Sequence, residues 1–172
     1  LTYKNGMLVL GTSRGDGTTG EVITENLKTI KDIPQKITSK DFPKDIDIRG
    51  EVFIKRSEFD KLKNDFANPR NAASGSLRQK NPNETKKIPL NFVAYTYGYF
   101  ESDKIRKQSD FLNFLQRWGF KTNEHNKILN SIDDLRTFHK KFEKERFDLE
   151  YDVDGLVYKI NSLELQKRLG FT

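Results

Sequence analysis

The sequence of 172 residues contains no cysteine, and none of its apolar runs is long. Without thiols the chain can form neither a disulfide nor a zinc site with cysteine ligands, which fits a reducing compartment. No run approaches the roughly 20 apolar residues of a membrane-spanning helix, and the first residues lack the pattern of a signal peptide. We therefore expect a protein that has no membrane as a partner.

Basic residues dominate the charge. Lysine and arginine number 31 against 25 aspartates and glutamates, for a formal net charge of +6. A basic chain attracts polyanions, although charge alone supports only non-specific binding. The length corresponds to one domain, and with 34% apolar residues its core is expected to be modest and to depend on the 13 phenylalanines.

Alternation and capping signals predict both strands and helices. Asn5-Gly6 between two short runs is a strong hairpin signal, and residues 46–54 and 90–100 alternate as half-buried strands do. Helices are expected after the capping residues Ser57, Ser109 and Ser131, and over residues 22–33 and 162–169. This order favours an α+β domain of mainly antiparallel sheets flanked by helices.

The first chemically informative segment covers residues 66–79 (FANPRNAASGSLRQ). Asn68 is a good N-cap and Pro69 fits the first helical position, so a helix is predicted to begin here. Arg70 then lies in the first turn, where the helix dipole disfavours a cation unless an anion shares the site. Either Arg70 binds an anion such as phosphate, or it is a solvated arginine on an ordinary capped helix.

The second segment, residues 154–159 (DGLVYK), is predicted to be a strand. Alternation places Val157 and Lys159 on one largely apolar face, and Gly155 suits a bulge or the close approach of a ligand. An ammonium group at the end of such a face usually needs a partner. Either Lys159 binds an anion there, or it extends to solvent from an edge strand.

Four motifs in order carry a family resemblance: residues 13–21 (SRGDGTTGE), 49–52 (RGEV), 66–79, and 152–159 (DVDGLVYK) with Asn161-Ser162-Leu163. With them the chain resembles the adenylation (nucleotidyltransferase) domain of bacterial NAD-dependent DNA ligases over residues 1–172. The resemblance implies an α+β nucleotidyltransferase domain of the ATP-grasp-like type.

The resemblance also implies a function. Such ligases seal 3′-OH/5′-phosphate nicks in duplex DNA during replication and repair, through an enzyme-adenylate and a DNA-adenylate. NAD donates the adenylate and Mg²⁺ assists, so NAD and Mg²⁺ are the implied cofactors and nicked duplex DNA is the implied partner. The implied location is the bacterial cytoplasm, and no protein partner is implied.

Roles follow for the residues at matching positions. The resemblance implies that Arg14 contacts the nucleotide or the nick, that Glu51 accepts hydrogen bonds from the AMP ribose, and that Tyr95 stacks on adenine. Val157 and Lys159 are implied to line the AMP site, where the ammonium stabilises negative charge on the phosphate.

A second set of matching residues is implied to act at phosphates near the nick. It comprises Arg70, Arg78 and Arg146, together with Asp154, whose family counterpart helps to place a divalent ion. Alternation puts Asp154 opposite Lys159 unless Gly155 bulges. No metal ligand is assigned from the sequence itself.

The family's nucleophile is the lysine of a Lys-x-Asp-Gly motif. Two Asp-Gly pairs occur here, but Arg14 and Asp152 stand at the nucleophile position. Arginine stays protonated and cannot attack a phosphate. We therefore expect residues 1–172 to be a partial adenylation domain, inactive alone, that lacks the upstream Lys-x-Asp-Gly and the downstream final lysine motif.

Other interpretations stay open. Arg14 could be solvated, Glu51 could form an ion pair with Arg49, and Tyr95 could belong to the core. The stretch between Glu51 and residue 66 is shorter than is usual in the family, and Ser74 and Ile88 replace the usual alanine and arginine. The alternative functions are a non-catalytic basic nucleic-acid-binding module, and an RNA ligase or capping-type nucleotidyltransferase.

Overall fold

The computed structural model describes residues 1–62, 66–100 and 104–170. Its strands are β1 (Thr2–Lys4), β2 (Met7–Leu10), β3 (Asp45–Phe53) and β4 (Asn91–Phe100). Its helices are α1 (Thr24–Leu27), α2 (Arg56–Phe59), α3 (Pro69–Ser76), α4 (Pro82–Lys86), α5 (Gln108–Arg117), α6 (Ile132–Glu145) and α7 (Leu163–Leu169). Single 3₁₀ turns, Asp60–Leu62 and Arg146–Asp148, extend α2 and α6.

The four strands form one antiparallel sheet in the order β2-β1-β3-β4. The predicted hairpin is confirmed: Asn5 and Gly6 have φ angles of 49° and 77°, the left-handed conformations that an Asn-Gly turn supplies. The two predicted long strands are confirmed as β3 and β4. The mixed fold with an antiparallel sheet therefore agrees with the expected α+β class.

The β3–β4 pair has one buried face and one exposed face. Ile48 and Ala94 are fully buried against the main core. On the opposite face lie Glu51, which pairs with Val93, and Tyr95, which has no partner because the register shifts beside it. This exposed face carries two of the predicted site residues, Glu51 and Tyr95.

Gly50 lets the two strands approach each other closely. A Cβ atom at this position would lie 2.1 Å from Cζ of Phe92 and 2.4 Å from the carbonyl oxygen of Val93. Because real Cβ atoms do not approach backbone so closely, glycine is required between Arg49 and Glu51.

Helix α5 supplies much of the core, as predicted. Phe111, Leu115 and Trp118 are buried, and Gly119 ends the helix with a φ of 94°. Helix α6 is capped by Ser131, whose Oγ accepts from the amide of Asp134 at 3.0 Å. Its predicted apolar stripe is wrong at Ile132, which is 68% exposed, because only the other end of α6 packs through Phe142.

Three helix predictions need correction. The helix expected over 22–33 is reduced to α1, because the chain then continues in short turns that still bury Ile30 and Ile33. Ser57 does not cap α2, since it lies inside the helix, where its amide and hydroxyl both donate to the Glu150 carboxylate. Ser109 likewise lies inside α5, where its amide donates to the Asn161 side chain.

No helix in the described part of the chain has both the length and the apolar character needed to cross a membrane.

Candidate active site

The segment from Asp152 to Ile160 carries Lys159 but is not a strand, which corrects the prediction for residues 154–159. No backbone ladder holds it, and Val157 is 82% exposed. Side chains from other elements hold it instead: the Arg56 guanidinium donates to Asp152, and Gln166 donates to the carbonyl of Ile160 at 2.6 Å. The alternation rule fails here because it presupposes a paired strand.

Two aromatic contacts fix the course of this segment over the sheet. Tyr151 packs edge-on against Phe53 with ring centroids 5.4 Å apart, and Nζ of Lys159 lies 5.4 Å from the centroid of the Tyr95 ring. Phe53 pairs with Asn91, so both contacts fall on β3 and β4.

The segment is longer than the stretch of sheet it covers. The eight residue steps from 151 to 159 could span about 26 Å when extended, whereas the four from Asn91 to Tyr95 span about 13 Å along the strand. The segment therefore cannot run straight along β4 between its two contacts. Glu51 and Val93 lie on the sheet face between those contacts.

The structure of the exposed face does not support two of the alternative interpretations, a core role for Tyr95 and an ion pair between Glu51 and Arg49. Tyr95 is 43% exposed, so it is not a core residue, and one side of its ring faces the Lys159 ammonium. Among the described residues no ion pair joins Glu51 to Arg49, so the Glu51 carboxylate is free to accept hydrogen bonds.

Lys159 is the titratable group of this face whose pKa is perturbed. The residue as a whole is exposed, but partial burial of its ammonium lowers the pKa below the usual 10.5. No carboxylate of the described chain forms an ion pair with it. An ammonium that is partly desolvated and unpaired is well suited to bind an anion.

Two arginines of the second set, Arg146 and Arg70, also contact this segment. Nη1 of Arg146 donates to the carbonyl of Val153 at 3.0 Å, and Nη1 of Arg70 lies 4.0 Å from a carboxylate oxygen of Asp154. The Arg70 and Asp154 side chains are 80% and 95% exposed, so their pairing is weak and easily exchanged for a ligand.

Helix α3 begins as predicted. The Asn68 side chain accepts from the amide of Asn71 at 2.8 Å, and Pro69 occupies the first turn. The first turn contains no acidic residue. Arg70 is thus a cation at the positive end of the helix, next to Asp154.

Arg78 and Arg14 lie together at a different place, near the glycine-rich loop. Nε of Arg78, two residues beyond α3, donates to Glu21 at 2.7 Å. Glu21 also closes the base of the loop, because its carbonyl accepts from the amide of Ser13 at 3.0 Å. Arg14 follows Ser13 and is exposed, and no side chain in the described ranges pairs with it.

The tip of this loop is held by Asp16. Its carboxylate accepts from the amides of Thr19 and Thr18 at 2.7 and 2.8 Å, and these hydrogen bonds lower the pKa of Asp16. The loop that presents Arg14 is therefore ordered by its own acidic residue.

A cavity of about 660 Å³ opens beside the exposed face. Its lining includes Glu51, Phe53, Val93, Tyr151 and Asp152. Glu51 is the one predicted site residue among the described residues that line it. The cavity is thus adjacent to the Tyr95–Lys159 pair rather than centred on it.

The structure therefore brings the predicted residues into two groups. Glu51, Tyr95 and Lys159 share the exposed sheet face, with Asp154, Arg70 and Arg146 along the segment that crosses it. Arg14 and Arg78 share the loop. Helix α3 connects the groups. Arg70 lies in its first turn and Arg78 lies two residues beyond its end, and the eight residues of the helix span about 12 Å.

Sequence reasoning missed two residues of this region, Arg56 and Gln108. Arg56 clamps Asp152 and the carbonyl of Phe147, while Gln108 contacts the carbonyl of Tyr95. Neither belongs to a motif, and their partners lie far away in the chain, so no local pattern could have revealed them.

No cluster of three or more metal-binding side chains occurs within the described residues. A magnesium ion here would need phosphate oxygens in addition to a carboxylate such as Asp154, which is the usual way in which Mg²⁺ is held at nucleotide sites.

Comparison with known proteins finds a matching family and several similar relatives. The family described as NAD-dependent DNA ligase adenylation domain matches residues 1–172. Among curated relatives, the protein named DNA ligase of Pelagibacter ubique is 59% identical over 171 residues, which is 99% of this chain and 25% of the relative.

Two further relatives give the same result. The DNA ligase of Endomicrobium trichonymphae is 45% identical over 180 residues, covering 100% of this chain and 27% of the relative. That of Bradyrhizobium diazoefficiens is 41% identical over 179 residues, covering 99% and 25%. The chain thus spans about a quarter of the length of these relatives.

Proposed function

The chain belongs to the family of NAD-dependent DNA ligase adenylation domains, and we propose that its residues form the AMP-binding part of such a ligase. The proposed reaction is the sealing of 3′-OH/5′-phosphate nicks in duplex DNA, with NAD as the adenylyl donor. The detailed fold is proposed to be the ATP-grasp-like nucleotidyltransferase type, in the bacterial cytoplasm.

The observation that carries the proposal is the pairing of Lys159 with Tyr95 on a sheet face that also holds Glu51. An exposed aromatic ring supports stacking of a base, which is worth about 1–3 kcal/mol. The Glu51 carboxylate can only accept hydrogen bonds, as the two hydroxyl groups of a ribose require. The Lys159 ammonium supplies the positive charge for a phosphate.

The chemistry of Lys159 is electrostatic. When bound, NAD would supply an activated adenylyl group, whose phosphate oxygens carry negative charge. A partly desolvated ammonium interacts more strongly with that charge than a fully hydrated one, and the unpaired state of Lys159 leaves it available. Its role is therefore to orient and neutralise a phosphate.

The arginines are proposed to hold DNA phosphates. Arg70 is exposed and at a helix start, where its guanidinium can bind a phosphate bidentately. Arg146 reaches the carbonyl of Val153, so it also stabilises the segment that carries Asp154. Arg14 and Arg78 are proposed to complete this surface, and Asp154 to bind Mg²⁺ together with phosphate.

Neither Asp-Gly pair of the chain has the lysine of the family's nucleophile motif. We therefore propose that the 172 residues alone form no covalent AMP adduct. Incubation with NAD and Mg²⁺ followed by mass spectrometry checks this. A stable adenylyl-lysine would contradict the assignment of the nucleophile to another part of the ligase.

The function is tested by replacing the matching quarter of the Pelagibacter ubique DNA ligase with residues 1–172. The chimera is expected to seal nicked DNA with NAD. Glu51→Ala and Lys159→Ala are each expected to reduce sealing at least about 100-fold, the range for removal of a charge-stabilising group.

Lys140→Ala provides the matched control, because Lys140 is an exposed lysine of α6. It should leave sealing unchanged. A chimera that folds but does not seal would contradict the proposal. Equal binding of nicked and intact duplexes, without any response to AMP, would instead favour a non-catalytic binding module.

A further inference from the structure

Gln108 is a buried polar residue at the first position of helix α5. It is only 8% exposed, and its Nε2 donates to the carbonyl oxygen of Tyr95 at 3.1 Å. Tyr95 is the position at which the β3–β4 register shifts, so β3 offers it no partner residue. The Gln108 amide thus anchors the backbone of Tyr95 to α5.

The same side chain reaches the segment that carries Lys159. Oε1 of Gln108 accepts from Nε2 of Gln166 at 3.3 Å, and that nitrogen also donates to the carbonyl of Ile160 at 2.6 Å. The backbone amide of Gln108 donates to the carbonyl of Asn161 at 2.7 Å. One residue therefore contacts both Tyr95 and the residues that follow Lys159.

These contacts take the place of the backbone hydrogen bonds that a neighbouring strand would have supplied. Because residues 152–160 form no paired strand, the position of Lys159 relative to Tyr95 depends on side-chain contacts and on the backbone bonds that join Asn161 and Leu163 to Gln108 and Arg106. Gln108 and Gln166 provide the contacts nearest to Lys159 on its C-terminal side. A buried amide with both ends hydrogen-bonded is a rigid connection, since breaking either bond leaves a buried polar group unsatisfied.

We propose that Gln108 is a positioning residue that sets the distance between the Tyr95 ring and the Lys159 ammonium. It acts through Tyr95 and Ile160 and touches no ligand itself. Its effect on AMP affinity rests on the proposed function, whereas its effect on the Tyr95–Lys159 geometry does not.

The test uses Gln108→Met, which keeps the length of the side chain but removes both hydrogen bonds. NMR reports the geometry through the ring-current shift of the Lys159 methylene protons next to Nζ, and titration reports AMP affinity. The variant should lose most of the ring-current shift and bind AMP about 3- to 10-fold more weakly, as expected for one or two lost hydrogen bonds.

The matched control is Gln116→Met on the same helix. Gln116 is exposed and donates to the Thr122 hydroxyl at 2.7 Å. Because Gln116 lines the cavity that also contains Glu51, the readout for this control is the ring-current shift of Lys159, which the variant should retain. A loss of equal size in Gln116→Met would overturn the proposal, because a general weakening of α5 would then explain the result.

Gln166→Met covers the case in which Gln108→Met does not fold. It removes the hydrogen bonds of Gln166 to Ile160 and to Gln108 but leaves the bond from Gln108 to Tyr95, and it should reduce the Lys159 shift with the β1–β3 amide signals unchanged. Folded Gln108→Met or Gln166→Met with wild-type Lys159 shifts would overturn the proposal. If the wild-type chain fails to bind AMP, the proposed function fails, while the ring-current comparison still decides the role of Gln108.

Discussion

At the scale of single residues, Lys159 carries most of the proposed chemistry. Its ammonium is partly buried, lies over the Tyr95 ring and pairs with no carboxylate of the described chain. The ring contributes a weak cation–π attraction, whereas a phosphate would contribute a full opposite charge. Binding of a phosphate should therefore depend on whether Lys159 is protonated.

We predict that AMP affinity falls as the pH is raised from 7.5 through the pKa of Lys159, which lies below 10.5. The sign follows because the protonated lysine attracts phosphate and the neutral one does not, and AMP keeps its charge over this range. Isothermal titration calorimetry over this pH range measures the change.

Two controls identify the responsible group. Adenosine lacks the phosphate and should bind with little dependence on pH. Lys159→Met should weaken AMP binding at pH 7.5 and remove most of the pH dependence. An unchanged decline in Lys159→Met would mean that another group titrates, and the role of Lys159 would have to be withdrawn.

At the scale of elements, helix α3 depends on its cap. The hydrogen bond from the amide of Asn71 to Asn68 is local, so its contribution can be isolated. Asn68→Ala should lower the free energy of unfolding by about 1 kcal/mol, and Asn68→Ser should retain most of it. Urea unfolding measures both. Equal stabilities of the alanine and serine variants would contradict the capping assignment.

Two glycines should respond in opposite ways to alanine. Gly50→Ala places a methyl group against Phe92 and the backbone of Val93, and should destabilise the chain by about 2 kcal/mol or more. Gly75 lies within α3 with no atom within 4 Å of an added Cβ, so Gly75→Ala should stabilise by about 0.5–1 kcal/mol. Thermal or urea unfolding distinguishes the two.

Gly75→Ala also tests whether DNA approaches α3 closely. If DNA contacts this helix closely, the variant will be more stable yet bind nicked duplex more weakly. Unchanged DNA affinity would mean that Gly75 affects only the stability of the helix.

Local signals predicted elements well where the partner lay nearby in sequence. The Asn5-Gly6 hairpin and the Asn68 and Ser131 caps depend on residues within a few positions, and the structure confirms them. The Ser57 and Ser109 predictions failed because side-chain oxygens 93 and 52 residues away accept from the first-turn amides, and both helices begin before these serines.

The prediction of a strand in the segment with Lys159 failed for the same reason, because local sequence does not show which distant residues contact it. Its alternating pattern looked like a strand, but no neighbouring strand pairs with it, and contacts from Arg56, Gln166 and Tyr95 hold it instead. The family resemblance assigned Lys159 and Tyr95 to one site, but it did not identify Arg56 or Gln166, and the pattern of the sequence could not predict how the segment is held.

At the scale of the whole molecule, the basic surface should bind DNA in a salt-dependent manner. Arg70→Gln should weaken binding to nicked duplex and reduce the slope of log K against log salt by about 1, because one phosphate contact is lost. Fluorescence anisotropy at several salt concentrations measures the slope.

Arg136→Gln is the comparison variant, since Arg136 is also exposed but pairs with Asp133 within α6. Its slope should equal that of the wild type. If both variants reduce the slope equally, the charge of the molecule as a whole governs binding, and Arg70 contributes no more than another exposed arginine.

The central claim is that Glu51, Tyr95 and Lys159 surround one adenylate. Titration of AMP into the isotopically labelled chain, followed by NMR, tests it most directly. We predict that the signals of all three residues shift with a single dissociation constant. Shifts confined to other surfaces, or a response of Glu51 with a different dissociation constant from that of Lys159, would contradict the claim.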